Sequence, residues 1–137
     1  MSRRWIFNAG VVSVMFALIG CGRTGHVAGG TPGLLHAGSV LLSDVQVTLH
    51  RVDGTAIEAI GIGTTRTDGR FELVQPGARQ ALHLSPGEYR VTVESVGAVP
   101  LCFSKDFASA ETSPLRVNWT AKSAQLDLEV PLPTADR

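Results

Sequence analysis

The side chains able to do chemistry in this 137-residue chain are few: two cysteines, four histidines and twelve acidic residues. Cys21 has the most distinctive setting. It follows Leu18-Ile19-Gly20 and closes a segment that opens with Arg3 and Arg4 and runs apolar from Ala9 to Ile19, broken only by Gly10 and Ser13. A positive start, a short apolar stretch and a small residue before the break make an export signal. The run is too short to span a bilayer, which takes about 20 apolar residues. Cys102 sits between Leu101 and Phe103, a setting that predicts a small core residue.

The remaining candidates form no reactive constellation. His26, His36, His50 and His83 are scattered, and none has Glu three residues on, so solvated polar positions are expected and no metal site is assigned. Asp53, Asp68 and Asp106 lack the Asp-x-Asp pattern of a calcium loop, which gathers six to eight oxygens. They read as turn residues. Ser43, Ser85 and Ser104 lack a Gly-x-Ser-x-Gly setting, so no nucleophile is assigned. No catalytic residue and no cofactor is expected.

Leu18-Ile19-Gly20-Cys21 resembles the lipobox of bacterial lipoproteins. The resemblance implies cleavage between Gly20 and Cys21, acylation of the Cys21 thiol by chains such as palmitate, and attachment to a membrane through the new N-terminus. With Cys21 engaged, Cys102 has no partner within the chain, so no disulfide staples the fold. Ser2-Arg3-Arg4-Trp5-Ile6-Phe7 also resembles a twin-arginine export signal, the alternative being an ordinary positively charged signal start. Gly22 stands where some bacteria use aspartate for inner-membrane retention, which favours the outer membrane over the inner.

Removing residues 1–20 takes away Arg3 and Arg4 and leaves ten basic against twelve acidic side chains in 117 residues. That balance offers no basic patch for nucleic acid or an anionic surface. Anchoring would fall to the acyl chains, at about 0.8 kcal/mol per buried CH₂. The length suits one domain.

The elements beyond the signal follow a period of two. Residues 21–32 are glycine-rich with no apolar periodicity and predict a flexible tether. Val45, Val47 and Leu49 alternate with polar residues, as do Phe71 and Leu73, then Tyr89, Val91 and Val93. Leu115, Val117 and Trp119, then Leu126, Leu128 and Val130, continue the pattern. Val52-Asp53-Gly54-Thr55 and Thr67-Asp68-Gly69 supply turns. Gln75 to Ser85 has the length of a crossover, and Pro131 and Pro133 are expected to stop pairing. Short strands with Gly and Pro turns and no 3.6-residue stripe predict an antiparallel sandwich.

Thr67-Asp68-Gly69-Arg70-Phe71-Glu72-Leu73 and Ser85-Pro86-Gly87-Glu88-Tyr89-Arg90-Val91-Thr92-Val93 resemble the paired signature of carboxypeptidase regulatory-like domains. Leu42 to Leu49 is similar to that family's first hairpin. The resemblance implies an all-β, seven-stranded antiparallel, Ig-like or transthyretin-like (prealbumin-like) sandwich over residues 33–132, with a tail at 133–137. It also implies a non-catalytic accessory or protein-interaction module of the cell envelope.

Two other readings follow from the same fold. A transthyretin-related hydrolase ends in Tyr-Arg-Gly-Ser, whereas this chain ends Pro131-Leu132-Pro133-Thr134-Ala135-Asp136-Arg137. A glycan- or peptide-binding module would need exposed aromatics. Phe103 and Phe107, in an irregular segment, are the candidate pair, with a flap covering the core as the alternative role for them.

Overall fold

The computed structural model describes residues 28–77 and 79–135. The proposed cleavage site Gly20-Cys21, His26 and most of the expected tether lie outside them. Ten strands form: β1 Pro32–Ala37, β2 Val40–Leu41, β3 Val45–Asp53, β4 Ala56–Thr64, β5 Arg70–Glu72, β6 Gly87–Ser95, β7 Leu101–Cys102, β8 Arg116–Trp119, β9 Leu126–Glu129 and β10 Thr134–Ala135. A single 3₁₀ turn, Lys105–Ala108, is the only helical element among the described residues.

The described part is all-β, built as two four-stranded sheets and a small two-stranded pair. One sheet has the order β4-β3-β6-β8, antiparallel throughout. In the other, β1 pairs with β2 and β5 and, in parallel, with β9. β7 and β10 make the third pair. The expectation of seven antiparallel strands is thus amended twice. Three further two-residue strands form, and β1 and β9 run parallel, with Gly33 opposite Leu126 and His36 opposite Glu129.

Period-two alternation explains the packing. Val45, Val47 and Leu49 of β3 and Tyr89, Val91 and Val93 of β6 point inward and are buried, facing Leu35, Phe71, Leu126 and Leu128 of the other sheet. Fully burying one such side chain stabilises by about 1.5–3 kcal/mol. Buried polar side chains are all partnered. The hydroxyl of Thr65 accepts from Val45 N (3.0 Å), that of Thr31 accepts from Leu84 N (2.9 Å), and that of Ser113 donates to Val91 O.

Phe71 is the packing centre. A Cβ at Gly33, its neighbour on β1, would overlap the ring, and one at Gly63 on β4 would stand 2.7 Å from ring atom Cδ2 and 3.0 Å from the Glu72 carbonyl oxygen. The two glycines let both sheets close on one aromatic. Upstream, Gly69 takes φ +72° in the Thr67-Asp68-Gly69 turn, a conformation glycine adopts without a Cβ penalty. Asp68 Oδ1 accepts from Arg70 N (3.1 Å), which fixes the turn that delivers Phe71.

Two boundaries differ from the sequence reading. Gly30 and Thr31 are buried and β1 starts at Pro32, so the end of the expected tether belongs to the fold. Thr31 is held because its amide donates to Leu82 O and its carbonyl accepts from Leu73 N. Pairing resumes after Pro131 and Pro133, where Thr134–Ala135 joins Leu101–Cys102. Gln75 to Ser85 does cross between the sheets, but with a local reversal in which Gln75 N donates to Gln80 O.

Candidate functional site

Phe103 and Phe107 do not form an exposed pair. Phe107 is 7% exposed and belongs to the core, and Phe103 is half-buried against it. The local reason is the 3₁₀ turn. Phe107 N donates to Ser104 O (3.1 Å), and the turn lies against β6, so the ring points into the sandwich. Ser113 then bonds Val91 O, and Val91 N donates to Leu115 O, stitching the segment to β6. Phe103–Ser113 is therefore a cover over the core, and no aromatic platform exists there.

Cys102, expected in the core, is an exposed free thiol on β7. The alternation expected from Leu101 and Phe103 turns their side chains toward the core and leaves the sulfur outside. Trp119 and Val117 pack against the core but remain half-buried, since β8 is an edge strand.

Two of the histidines are more structured than solvated positions would be. On β1, His36 Nδ1 lies 2.8 Å from Gly38 O and Nε2 lies 2.7 Å from Asp127 Oδ1 on β9. Both partners are acceptors, so the doubly protonated ring satisfies both bonds, and the Asp127 hydrogen bond raises the pKa above 6.5. His50 Nε2 lies 2.9 Å from Thr92 Oγ1 on the outer face of β3 and β6, and burial lowers its pKa. His83 is exposed. No group of three or more His, Cys, Asp or Glu side chains gathers in metal-binding geometry among the described residues.

A cleft of about 320 Å³ opens on the outer face of the β4-β3-β6-β8 sheet, between Val52 of β3, Glu88 and Arg90 of β6, and Arg116 and Asn118 of β8. Cross-strand register puts Glu88 beside Asn118 and Arg90 beside Arg116. Arg90 is held from behind, donating to the Ala110 and Glu111 carbonyls (3.1 and 3.3 Å). Arg116 is exposed. Tyr89 and Val117 also line it, with the Tyr89 hydroxyl engaged by Ser85 O, and no imidazole or thiol is among the lining residues, so the cleft offers charge and hydrogen bonds.

A second surface was missed by reading residues singly. The large apolar side chains exposed among the described residues are Val40, Leu41, Val96, Val99 and Leu132. Its signal in the sequence is three uncharged stretches, 37–43, 95–101 and 130–135. The cleft, by contrast, has no sequence signal, because it depends on which residues meet across β6 and β8. No protein-family model, no curated protein and no solved structure matches the chain.

Proposed function

We propose that this is a lipoprotein of the bacterial cell envelope. In this reading the chain is cut between Gly20 and Cys21, acyl chains on Cys21 hold it in a membrane, outer rather than inner, and a non-catalytic sandwich works there by protein contact. The observation that carries the proposal is the order Arg3-Arg4, apolar run, Leu18-Ile19-Gly20-Cys21, set only nine residues ahead of a folded β-domain that begins by Gly30. A short glycine-rich connection of this kind suits a domain held near a bilayer.

The sandwich is of the Ig-like or transthyretin-like kind. Support comes from the seven strands longer than two residues, arranged in two facing sheets. Tyr89 adds to it, with a buried ring and a hydroxyl donating to Ser85 O four residues upstream (2.5 Å), as in the tyrosine corner of such folds. An interaction role fits a domain whose polar interior is fully satisfied and whose notable surface is apolar. The step from fold to role is an analogy. Glycan binding through Phe103 and Phe107 has no supporting observation, given the burial of Phe107.

Cell fractionation tests the anchoring. Wild-type protein should sediment with membranes and resist extraction by high salt, because acyl chains rather than charge hold it. Cys21→Ser should lose the acyl modification. A wild-type protein washed off by salt alone contradicts the proposal.

A further inference from the structure

Two arginines meet without a counter-charge in the cleft on the outer face of the β4-β3-β6-β8 sheet. Arg90 of β6 and Arg116 of β8 are cross-strand partners, which puts their Cβ atoms about 4.5–5.5 Å apart. Like charges placed directly opposite destabilise a sheet unless something offsets the repulsion. No protein carboxylate does so here. The ion pairs among the described residues are His36–Asp127 and Arg70–Asp68, and neither involves β6 or β8. Arg90 is also fixed in place, because Nη1 of its half-buried guanidinium donates to the Ala110 and Glu111 carbonyls (3.1 and 3.3 Å). Its Nε and Nη2 make no hydrogen bond to the described residues, yet no buried side-chain nitrogen lacks a partner. Those donors are therefore open to solvent, on a group whose position is already set. Preorganisation of this kind lowers what binding costs.

The rest of the lining sets the sign and the size. Glu88 is the one carboxylate among the lining residues, so two guanidinium groups against it leave one positive charge in excess. Asp53 and Glu111, exposed acids close to the lining residues in sequence, stand outside the lining and pair with neither arginine. Glu88 lies one pleat from Arg90, about 7 Å along the strand, and is opposite Asn118. Val52 supplies an apolar wall. A volume of about 320 Å³ is at the small end of ligand sites, so it admits a single residue rather than a folded surface.

We infer that this cleft binds a carboxylate carried next to a hydrogen-bond donor, the chemistry of a free amino acid or of a peptide's C-terminal residue. Arg90 and Arg116 take the carboxylate, since the guanidinium fork matches its two oxygens. Glu88 accepts from the neighbouring N–H or ammonium. Asn118, with both a donor and an acceptor, serves either group, and Val52 meets the ligand's side chain. Phosphate fits less well, because Glu88 opposes a second negative charge. The inference goes beyond the anchoring proposal and stands without it, since no lining residue belongs to the segment around Cys21.

Nuclear magnetic resonance titration of the isotope-labelled full chain in detergent micelles, at constant ionic strength, reads the site residue by residue. The probes are N-acetyl-alanyl-alanine, its C-terminal amide, free alanine and inorganic phosphate. The expected result is saturable shifts of the Arg90 and Arg116 Nε–H signals and the Asn118 amide with N-acetyl-alanyl-alanine, with alanine or with both, and none with the amide. The tighter binder of the two identifies the source, chain end or small molecule, and either order supports the inference. Arg116→Gln should raise the Kd about tenfold or more. Its melting temperature should equal or exceed that of wild type, since one of two opposed like charges is gone. Glu88→Gln is the second variant, and it should weaken alanine while strengthening phosphate. Equal shifts with acid and amide, wild-type binding of phosphate as tight as that of the carboxylates, or a Kd indifferent to Arg116→Gln overturns the inference. None of these outcomes touches the acylation of Cys21, which mass spectrometry reads separately.

Discussion

Tyr89 places an apolar ring in the core and its hydroxyl donates a hydrogen bond to the Ser85 carbonyl, so one side chain fills space and pins the turn before β6. Tyr89→Phe keeps the ring and strands the carbonyl. Urea unfolding should show a loss of about 1–2 kcal/mol, with the slope unchanged. The two structured histidines act in opposite directions. His36 has a raised pKa, so its contribution is complete below pH 6.5 and fades as pH rises through the folded value. His50 has a lowered pKa, so its contribution is present above pH 6.5 and is lost as pH falls through the folded value. Melting temperatures of His36→Gln should therefore fall below wild type at pH 5.5 and converge with it at pH 9. The gap should correspond to about 0.5 kcal/mol, typical of an exposed pair. A gap that grows with pH contradicts the arrangement of His36 between two acceptors.

At the scale of elements, alternation located the buried faces of β3, β5, β6 and β9 from Val45, Phe71, Val91 and Leu128 alone, because each strand has one dry and one wet face. Other features lay outside a period-two pattern. The parallel pairing of β1 with β9 depends on residues 93 positions apart, and β10 follows two prolines that end most ladders. The glycines at 33 and 63 are legible only once Phe71 is seen between the sheets. Gly63→Ala should cost about 1–3 kcal/mol by overpacking, measured by thermal unfolding. The irregular cover behaves differently. Phe107→Ala should cost about 3–5 kcal/mol as a core truncation, and Phe103→Ala less, while retention on cell-wall polysaccharide stays at its background value for both. Retention lost without a fall in stability would restore these two rings to a binding role.

The whole molecule has two unlike ends. The chain enters at one end through glycine-rich sequence, and the other end carries the exposed apolar segments. Between them the core is closed, its polar groups are paired, and the outer-face cleft holds arginines, Glu88 and Asn118 without a reacting couple. Cys21 thus remains the residue with the most definite chemistry, and its role as an anchor is the central claim. Intact-mass and peptide mass spectrometry of the protein from membrane fractions tests it most directly. The account predicts an N-terminus at Cys21 bearing the mass of acyl chains. A membrane-derived protein that retains residues 1–20, or that begins beyond Cys21, or that carries an unmodified Cys21 thiol would contradict it.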